Sequence, residues 1–163
     1  MPTTRTRPAP AQRRFDSPEQ EAFLGLWRTF DRLRALEEEL FAGYDLTPQK
    51  YNALRLLRGA RPETLRTLDL AERLVSRAPD ITRLLDKLAE RKLIKRNRLD
   101  TNRREVRVGI TAAGIALLDE LQEPLRECHT RQLGHLSRTQ LHDLTALLRA
   151  ARLPHEDADS SWR

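Results

Sequence analysis

The sequence is poor in several residues and segments that common protein classes require. Its 163 residues contain one cysteine, Cys128, so an internal disulfide is excluded. A chain without disulfides is typical of a reducing compartment, and we therefore predict a cytoplasmic location. The sequence also has no apolar run of about 20 residues that could cross a bilayer, and no apolar core of a signal peptide near its start. We expect neither membrane insertion nor export by that route.

Motifs that carry catalysis or bind cofactors are missing as well. The sequence has no glycine-rich loop that could hold a phosphate and no recognisable nucleophile motif. Its four histidines do not show the paired spacing typical of metal ligands. We therefore expect no enzyme, no metal and no other cofactor.

A basic excess gives the first positive indication of function. Lysine and arginine number 30 against 24 aspartates and glutamates, which leaves a formal charge of +6. A net charge of this sign favours polyanionic partners such as nucleic acid. The length of 163 residues suits one domain.

The N-terminal part is predicted to be a short arm followed by one long helix. Residues 1–16 contain proline, threonine and arginine without apolar periodicity, so we expect a flexible basic arm. Ser17 and Pro18 then form a helix start, and apolar residues three and four apart continue to about Gly43. The Thr-Pro pair at residue 47 starts the next helix. So long an apolar stripe needs a long partner, and a second copy of the chain is the candidate.

Two short helices joined by a tight turn are predicted in the middle of the chain. Residues 65–75 form the first, and Asp80 begins the second after a turn at residues 76–78. The second helix has leucines on one side, whereas Arg83 and Lys87 lie on the other. A pair of this kind, basic on the outside of its second helix, is the helix-turn-helix pattern.

Residues 93–110 then change to the two-residue periodicity of a β-hairpin, which we call the wing. A polar turn at residues 99–103 separates its two extended segments. Basic residues outnumber acidic ones here, and we expect such a hairpin to repel itself without a polyanion. The basic residues are Lys95, Arg96, Arg98, Arg103, Arg104 and Arg107.

Two further helices are predicted after the wing. Thr111 begins one that continues to about Leu133, and Ser137 caps another that Pro154 ends. Residues 154–163 are interpreted as a frayed acidic tail.

The middle of the chain resembles the MarR family of transcriptional regulators. Residues 67–114 read TLDLAERLVSRAPDITRLLDKLAERKLIKRNRLDTNRREVRVGITAAG. Their Leu-Ala pair, Thr-Arg recognition helix, Asn-Arg-Arg wing tip and Thr-x-x-Gly exit are similar to the family's pattern. The resemblance implies a mainly α fold with a small β-hairpin wing. It places a winged helix-turn-helix at about 47–111 and dimerisation helices at about 17–43 and 112–153, within a domain spanning 17–153.

The resemblance also implies a function and a set of contacts. We expect a homodimer that binds an inverted-repeat operator in double-stranded DNA and acts as a repressor relieved by a small-molecule effector. The residues expected to contact DNA are Arg77, Thr82, Arg83, Lys87, Arg98, Arg103 and Arg104. Asp80 is predicted to have a structural role at the helix start.

Two positions depart from the family's pattern. Asn102 stands where the family usually has an aspartate that braces the wing arginine, so Asp100 or Asn102 would have to hold Arg104. Lys92 stands where a glycine commonly follows the recognition helix, a position suited to left-handed backbone.

Three possibilities for regulation and function stay open. The family often binds aromatic or anionic effectors, and Trp27, Phe30, Tyr44 and Tyr51 could line such a pocket or simply belong to the core. A second alternative is a regulator switched by oxidation of Cys128. The third is a nonspecific architectural DNA-binding protein.

Overall fold

The computed structural model describes residues 15–75, 80–99, 102–158 and 160. Within these residues the chain divides into two compact units, the first ending at residue 35 and the second beginning at residue 36. The elements, in chain order, are α1 (Pro18–Ala42), α2 (Pro48–Gly59), β1 (Leu65–Arg66), α3 (Thr67–Arg73), α4 (Ile81–Glu90), β2 (Ile94–Leu99), β3 (Asn102–Ile110), α5 (Ala112–Glu120), α6 (Gln122–Leu133), α7 (Arg138–Arg152) and a 3-10 turn (Leu153–His155).

Side-chain caps set the predicted helix starts. Each capping side-chain oxygen accepts a hydrogen bond from a backbone N–H in the first helical turn, which would otherwise lack a partner. At α4, for example, the Asp80 carboxylate accepts from the Arg83 N–H at 2.8 Å, which gives Asp80 the structural role predicted for it. The capping residues are Ser17, Thr47, Asp80, Thr111 and Ser137.

The sheet contains the predicted hairpin and one strand that was not predicted. β2 and β3 pair antiparallel, with Ile94 opposite Ile110, and β1 adds to the other edge of β3, giving the order β1-β3-β2. The prediction of a helix from residue 65 was wrong by two residues. Leu65 is buried in the sheet opposite Val108 instead, and a two-residue strand is too short to show a periodicity of its own.

The core of the second unit packs its helices against one face of this sheet. Leu54 and Leu57 of α2, Leu70 of α3 and Leu85 and Leu88 of α4 are all buried in it. Burial of this kind supplies most of the free energy that holds α4 against the rest of the unit.

The helix predicted to run from Thr111 to Leu133 is interrupted at Leu121, between α5 and α6. The cause is Pro124, whose nitrogen has no hydrogen to donate to the Glu120 carbonyl four residues earlier. Leu121 is nevertheless fully buried, because the apolar stripe continues across the break.

The chain leaves α4 through a residue with left-handed backbone. Lys92 has φ 58°, and its N–H donates to the Ala89 carbonyl at 2.8 Å. The N–H of Leu93 donates to the Leu88 carbonyl at 3.0 Å. This pair of hydrogen bonds is the Schellman motif, in which glycine is the usual residue at the position of Lys92.

Candidate nucleic-acid interface

α4 presents three different faces. Leu85 and Leu88 are buried on the first. Arg83 and Lys87, one turn apart, are exposed on the opposite face. Thr82 and Asp86 lie on the flank between these faces, on the side of β2. We call the face that carries Arg83 and Lys87 the groove face, because it is the surface that could enter a major groove of DNA.

The groove face is accessible to a ligand. The Arg83 guanidinium has no hydrogen-bond or ion-pair partner in the described part of the chain. Lys87 Nζ lies 2.9 Å from Glu90 Oε2, but both side chains are more than half exposed, and an exposed pair of this kind contributes little free energy. Thr82 is also exposed. These three predicted contacts therefore lie together at and after the start of α4.

Other predicted contacts lie partly or wholly outside the described structure. The backbone of Arg98, Arg103 and Arg104 belongs to the two strands of the wing, as does that of Asn102. The described side chains do not include these four. Arg77 and Asp100 lie outside the described residues. Their roles, including the bracing of Arg104, stay predictions.

Two wing arginines are engaged within the protein. Arg96 Nη1 donates to Asp86 Oδ1 at 2.6 Å, and Nη2 donates to the Thr82 carbonyl at 3.2 Å. Arg107 Nη1 donates to the Thr64 carbonyl at 3.3 Å. The prediction that the wing repels itself without a polyanion was based on six basic residues, and two of them, Arg96 and Arg107, have partners within the protein. Sequence patterns could not assign these partners, because they come from other elements of the fold.

The exit from the wing is a close junction of three backbone segments. Thr111 donates twice across it, from its N–H to the Leu93 carbonyl at 3.1 Å and from its hydroxyl to the Lys92 carbonyl at 2.7 Å. The same hydroxyl caps α5 by accepting from the Gly114 N–H at 3.1 Å. A Cβ on Gly114 would lie 2.7 Å from Ile110 Cγ1 and closer still to the Leu93 carbonyl oxygen. The Thr-x-x-Gly pattern is thus explained by a cap and a close approach.

The four aromatic residues of the predicted effector pocket are distributed over both units. Trp27 and Phe30 belong to the first unit, where their side chains are 63% and 62% exposed. Tyr44 and Tyr51 belong to the second and pack against its core, where Tyr51 stacks on Phe41 with ring centroids 4.9 Å apart. The pocket formed by these four residues stays a prediction.

The second unit contains a groove of about 530 Å³ between α2, α5, α6 and α7. Of the predicted aromatic residues, Tyr51 lines it. Leucines form much of its wall, and Arg58, Arg126 and His129 add basic and polar groups. His129 Nε2 lies 3.2 Å from Glu37 Oε1. The groove can accept a molecule that combines an apolar body with an anionic group.

Cys128 is poorly suited to redox chemistry. Its side chain is 4% exposed, and burial raises the pKa of the thiol above its ordinary value, with a further contribution from Glu37. The reactive thiolate is therefore disfavoured.

The described residues contain neither a cluster of metal ligands nor a helix suited to a membrane. Within the described residues, no three histidine, cysteine, aspartate or glutamate side chains come together as a metal site. None of the helices in that part of the chain has both the length and the apolar character needed to cross a membrane.

A helix pair followed by an antiparallel hairpin, with a basic face on the second helix, defines a winged helix-turn-helix protein. The model of the MarR family matches residues 46–106. The crystal structure of a MarR transcription factor from Planctomyces limnophilus is similar to this chain, with 54% sequence identity and a TM-score of 0.68. The match covers 84% of this chain and 99% of that protein's chain. The chain belongs to the MarR family, a family of transcriptional regulators and not of enzymes.

Two more distant relatives agree with this assignment. The HTH-type transcriptional repressor YetL of Bacillus subtilis (strain 168) is 30% identical over 105 residues, 64% of this chain. The chain spans 63% of the length of that curated relative. A mutant of MarR from E. coli, crystallised with operator DNA, is 20% identical with a TM-score of 0.72, over 80% of this chain and 93% of that one. At this identity the likeness shows the fold.

Proposed function

We propose that the protein is a sequence-specific DNA-binding transcriptional repressor that acts as a homodimer on inverted-repeat operators. The observation that carries this proposal is the groove face of α4, with Arg83 and Lys87 exposed on a helix whose opposite face is buried. A helix of this kind can insert its outer side chains into the major groove, where base edges distinguish all four base pairs.

The two basic side chains of the groove face have different expected roles. Arg83 lies in the first turn of α4, and its guanidinium has no partner among the described residues. That planar group is the one that pairs with guanine. Lys87 is one turn further on and carries a point charge suited to phosphate. We therefore assign base recognition to Arg83 and backbone contact to Lys87.

Substitution of these two residues tests the assignment. Operator fragments are first selected from genomic DNA at physiological salt, and affinity is then measured for the operator and for a random duplex. Arg83→Ala is expected to cost about 1 to 3 kcal/mol on the operator and much less on the random duplex. Lys87→Ala is expected to weaken both and to reduce the salt slope by about one ion. The matched control is Arg138→Ala, which removes one exposed arginine from α7.

The selection experiment also tests the alternative of an architectural protein. Equal affinity of the wild type for random duplex and for every selected fragment would refute sequence-specific recognition. An unchanged preference in Arg83→Ala would refute only the role of that residue.

Large apolar side chains on the long helices support a homodimer. Phe23, Trp27 and Phe30 of α1 are each more than 60% exposed, and Leu147 of α7 is 68% exposed. Helical stripes of this size are costly to leave in water. Sedimentation equilibrium is expected to give twice the chain mass at micromolar concentration, and a monomer there would contradict the proposal. A cytoplasmic location follows from this function and stays a prediction.

An effector is proposed for the groove between α2, α5, α6 and α7. Arg58 and Arg126 supply positive charge beside an apolar wall, which fits a small aromatic acid. Their ion pairs with Asp119 and Glu123 are exposed, so a carboxylate could replace them at little cost. Titration with benzoate as the probe is expected to weaken operator binding. Binding that no aromatic acid alters would remove the support for this effector class.

A further inference from the structure

Arg96 connects the wing to the recognition helix. It lies on β2, and its side chain points toward the flank of α4 rather than to solvent, with 28% of its surface exposed. One terminal nitrogen donates to the Asp86 carboxylate at 2.6 Å, and the other donates to the Thr82 carbonyl at 3.2 Å. The Nε atom is buried as well. The guanidinium is thus engaged within the protein by two acceptors of α4.

We infer that Arg96 is a positioning residue for operator recognition, which fixes the rotation of α4 about its own axis. This inference rests on the proposed function and deepens it. Arg96 selects the direction in which the groove face points, and it does so without contacting DNA itself.

The placement of the two acceptors is the reason. Thr82 and Asp86 are four residues apart and therefore lie one above the other on the same flank of the helix. A planar guanidinium that bonds to both holds this flank at two points. The buried leucines on the core face fix how closely α4 packs, whereas a contact on the flank resists rotation about the helix axis. Arg83, next to Thr82, would move with any such rotation.

The far end of α4 has its own attachment. Arg91, directly after the helix, donates through Nη1 to the Asp45 carbonyl at 2.7 Å. The C-terminal end of α4 is thereby held to the loop before α2, while Arg96 holds the helix at Thr82 and Asp86, on either side of Arg83. Loss of the Arg96 contacts is therefore expected to free the end that reads bases.

The competing explanation is that Arg96 contributes simply as a positive charge near phosphate. Asp86→Asn separates the two explanations, because it removes a negative charge from the protein. Simple electrostatics predicts tighter binding to any DNA. Positioning predicts weaker binding to the operator alone, since the strong charge-assisted hydrogen bond is lost.

The experiment compares the wild type with three variants on the selected operator and on random duplex. Asp86→Asn and Arg96→Lys are both expected to bind the operator about tenfold more weakly, the equivalent of one charge-assisted hydrogen bond. Their binding to random duplex is expected to stay unchanged or, for Asp86→Asn, to rise slightly. Glu120→Gln is the control, because it neutralises one exposed acid on α5. It is expected to leave the ratio of the two affinities unchanged.

Hydrogen exchange of α4, measured without DNA, supplies a readout that does not depend on operator binding. The amides of residues 81–90 are expected to exchange faster in Asp86→Asn and Arg96→Lys than in the wild type or Glu120→Gln. Cooperative thermal unfolding establishes that each variant is folded. Faster exchange together with lost operator preference supports the inference.

Failure of the inference and failure of the proposed function are distinguishable. If the wild type prefers the operator and both variants keep that preference, Arg96 has no positioning role. If Arg96→Lys keeps the preference while Asp86→Asn loses it, the charge of Arg96 suffices and the two-point contact is refuted. If the wild type shows no preference for the operator, the proposed function fails. Hydrogen exchange then tests the Arg96 contacts separately, because exchange in α4 that is the same in the variants as in the wild type would refute their role in holding the helix.

Discussion

Replacement of Gly114 by alanine is expected to destabilise the protein, although alanine normally favours a helix over glycine. Gly114 lies in the first turn of α5, directly under the start of β2. An added methyl carbon would lie 2.7 Å from Ile110 Cγ1 and even closer to the Leu93 carbonyl oxygen. That oxygen already accepts from the Thr111 N–H at 3.1 Å, so it cannot move away without loss of the hydrogen bond.

The magnitude follows from two opposing terms. Overpacking of a close contact costs about 1 to 3 kcal/mol, and the upper end applies here because one of the opposing atoms is backbone. The helix propensity of alanine returns about 1 kcal/mol. The net loss is therefore about 2 kcal/mol, and for a domain of this size it lowers the Tm by about 4 to 8 °C.

Thermal unfolding followed by circular dichroism measures this effect. All variants are compared at one protein concentration, because the Tm of a dimer depends on concentration. The matched control is Gly59→Ala, at the end of α2, where an added Cβ would have no close neighbour within 4 Å in the described part of the chain. This control is expected to be neutral or to raise the Tm. A Gly114→Ala protein as stable as the wild type would refute the close approach.

Two further predictions concern single side chains. Lys92→Gly is expected to raise the free energy of unfolding by up to about 1 kcal/mol, because glycine adopts the φ of 58° without steric strain. Lys92→Ala is the control, because alanine keeps the strain. An equal gain in stability in both variants would contradict this reason. The Cys128 thiol is expected to react slowly with a thiol reagent in the folded protein at neutral pH and rapidly in denaturant, since its pKa is raised and its side chain is buried. Its reaction rate should still increase with pH through the range in which an ordinary thiol ionises, and fast reaction of the folded protein at pH 7 would overturn this assignment.

Helix starts were predictable because their signals are local. A serine, threonine or aspartate supplies the cap within three residues of the N–H that it accepts, as Ser17, Thr47 and Ser137 do. Lys92 was singled out in another way, by the resemblance to a family that commonly has glycine at this position, because a lysine by itself does not indicate left-handed backbone.

The break at Leu121 shows how one sequence pattern can conceal another. The apolar stripe through Leu118, Leu121 and Leu125 is continuous, and periodicity alone therefore predicts an unbroken helix. Pro124 carried the contrary information, because a proline disrupts the hydrogen bond to the residue four positions before it.

Contacts between distant elements were beyond a sequence pattern. The basic character of the wing was evident, but the partners of Arg96 are 10 and 14 residues away on another element, and that of Arg107 is 43 residues away. A sequence shows that an arginine is present, whereas only the fold decides whether it faces a carboxylate, a carbonyl or solvent. The division of the basic residues between internal contacts and the groove face is therefore a property of the folded chain.

The junction after the wing has a thermodynamic consequence. Lys92 and Leu93 end the Schellman motif of α4 and connect it to β2 of the wing, and their carbonyls accept both hydrogen bonds from Thr111 at the start of α5. Any displacement of α5 must therefore shift the wing or break these bonds. Such coupling is reciprocal. If an effector reduces operator affinity by some factor through this junction, bound DNA reduces the affinity for the effector by the same factor. The effector therefore binds more tightly to the free protein than to the protein on DNA.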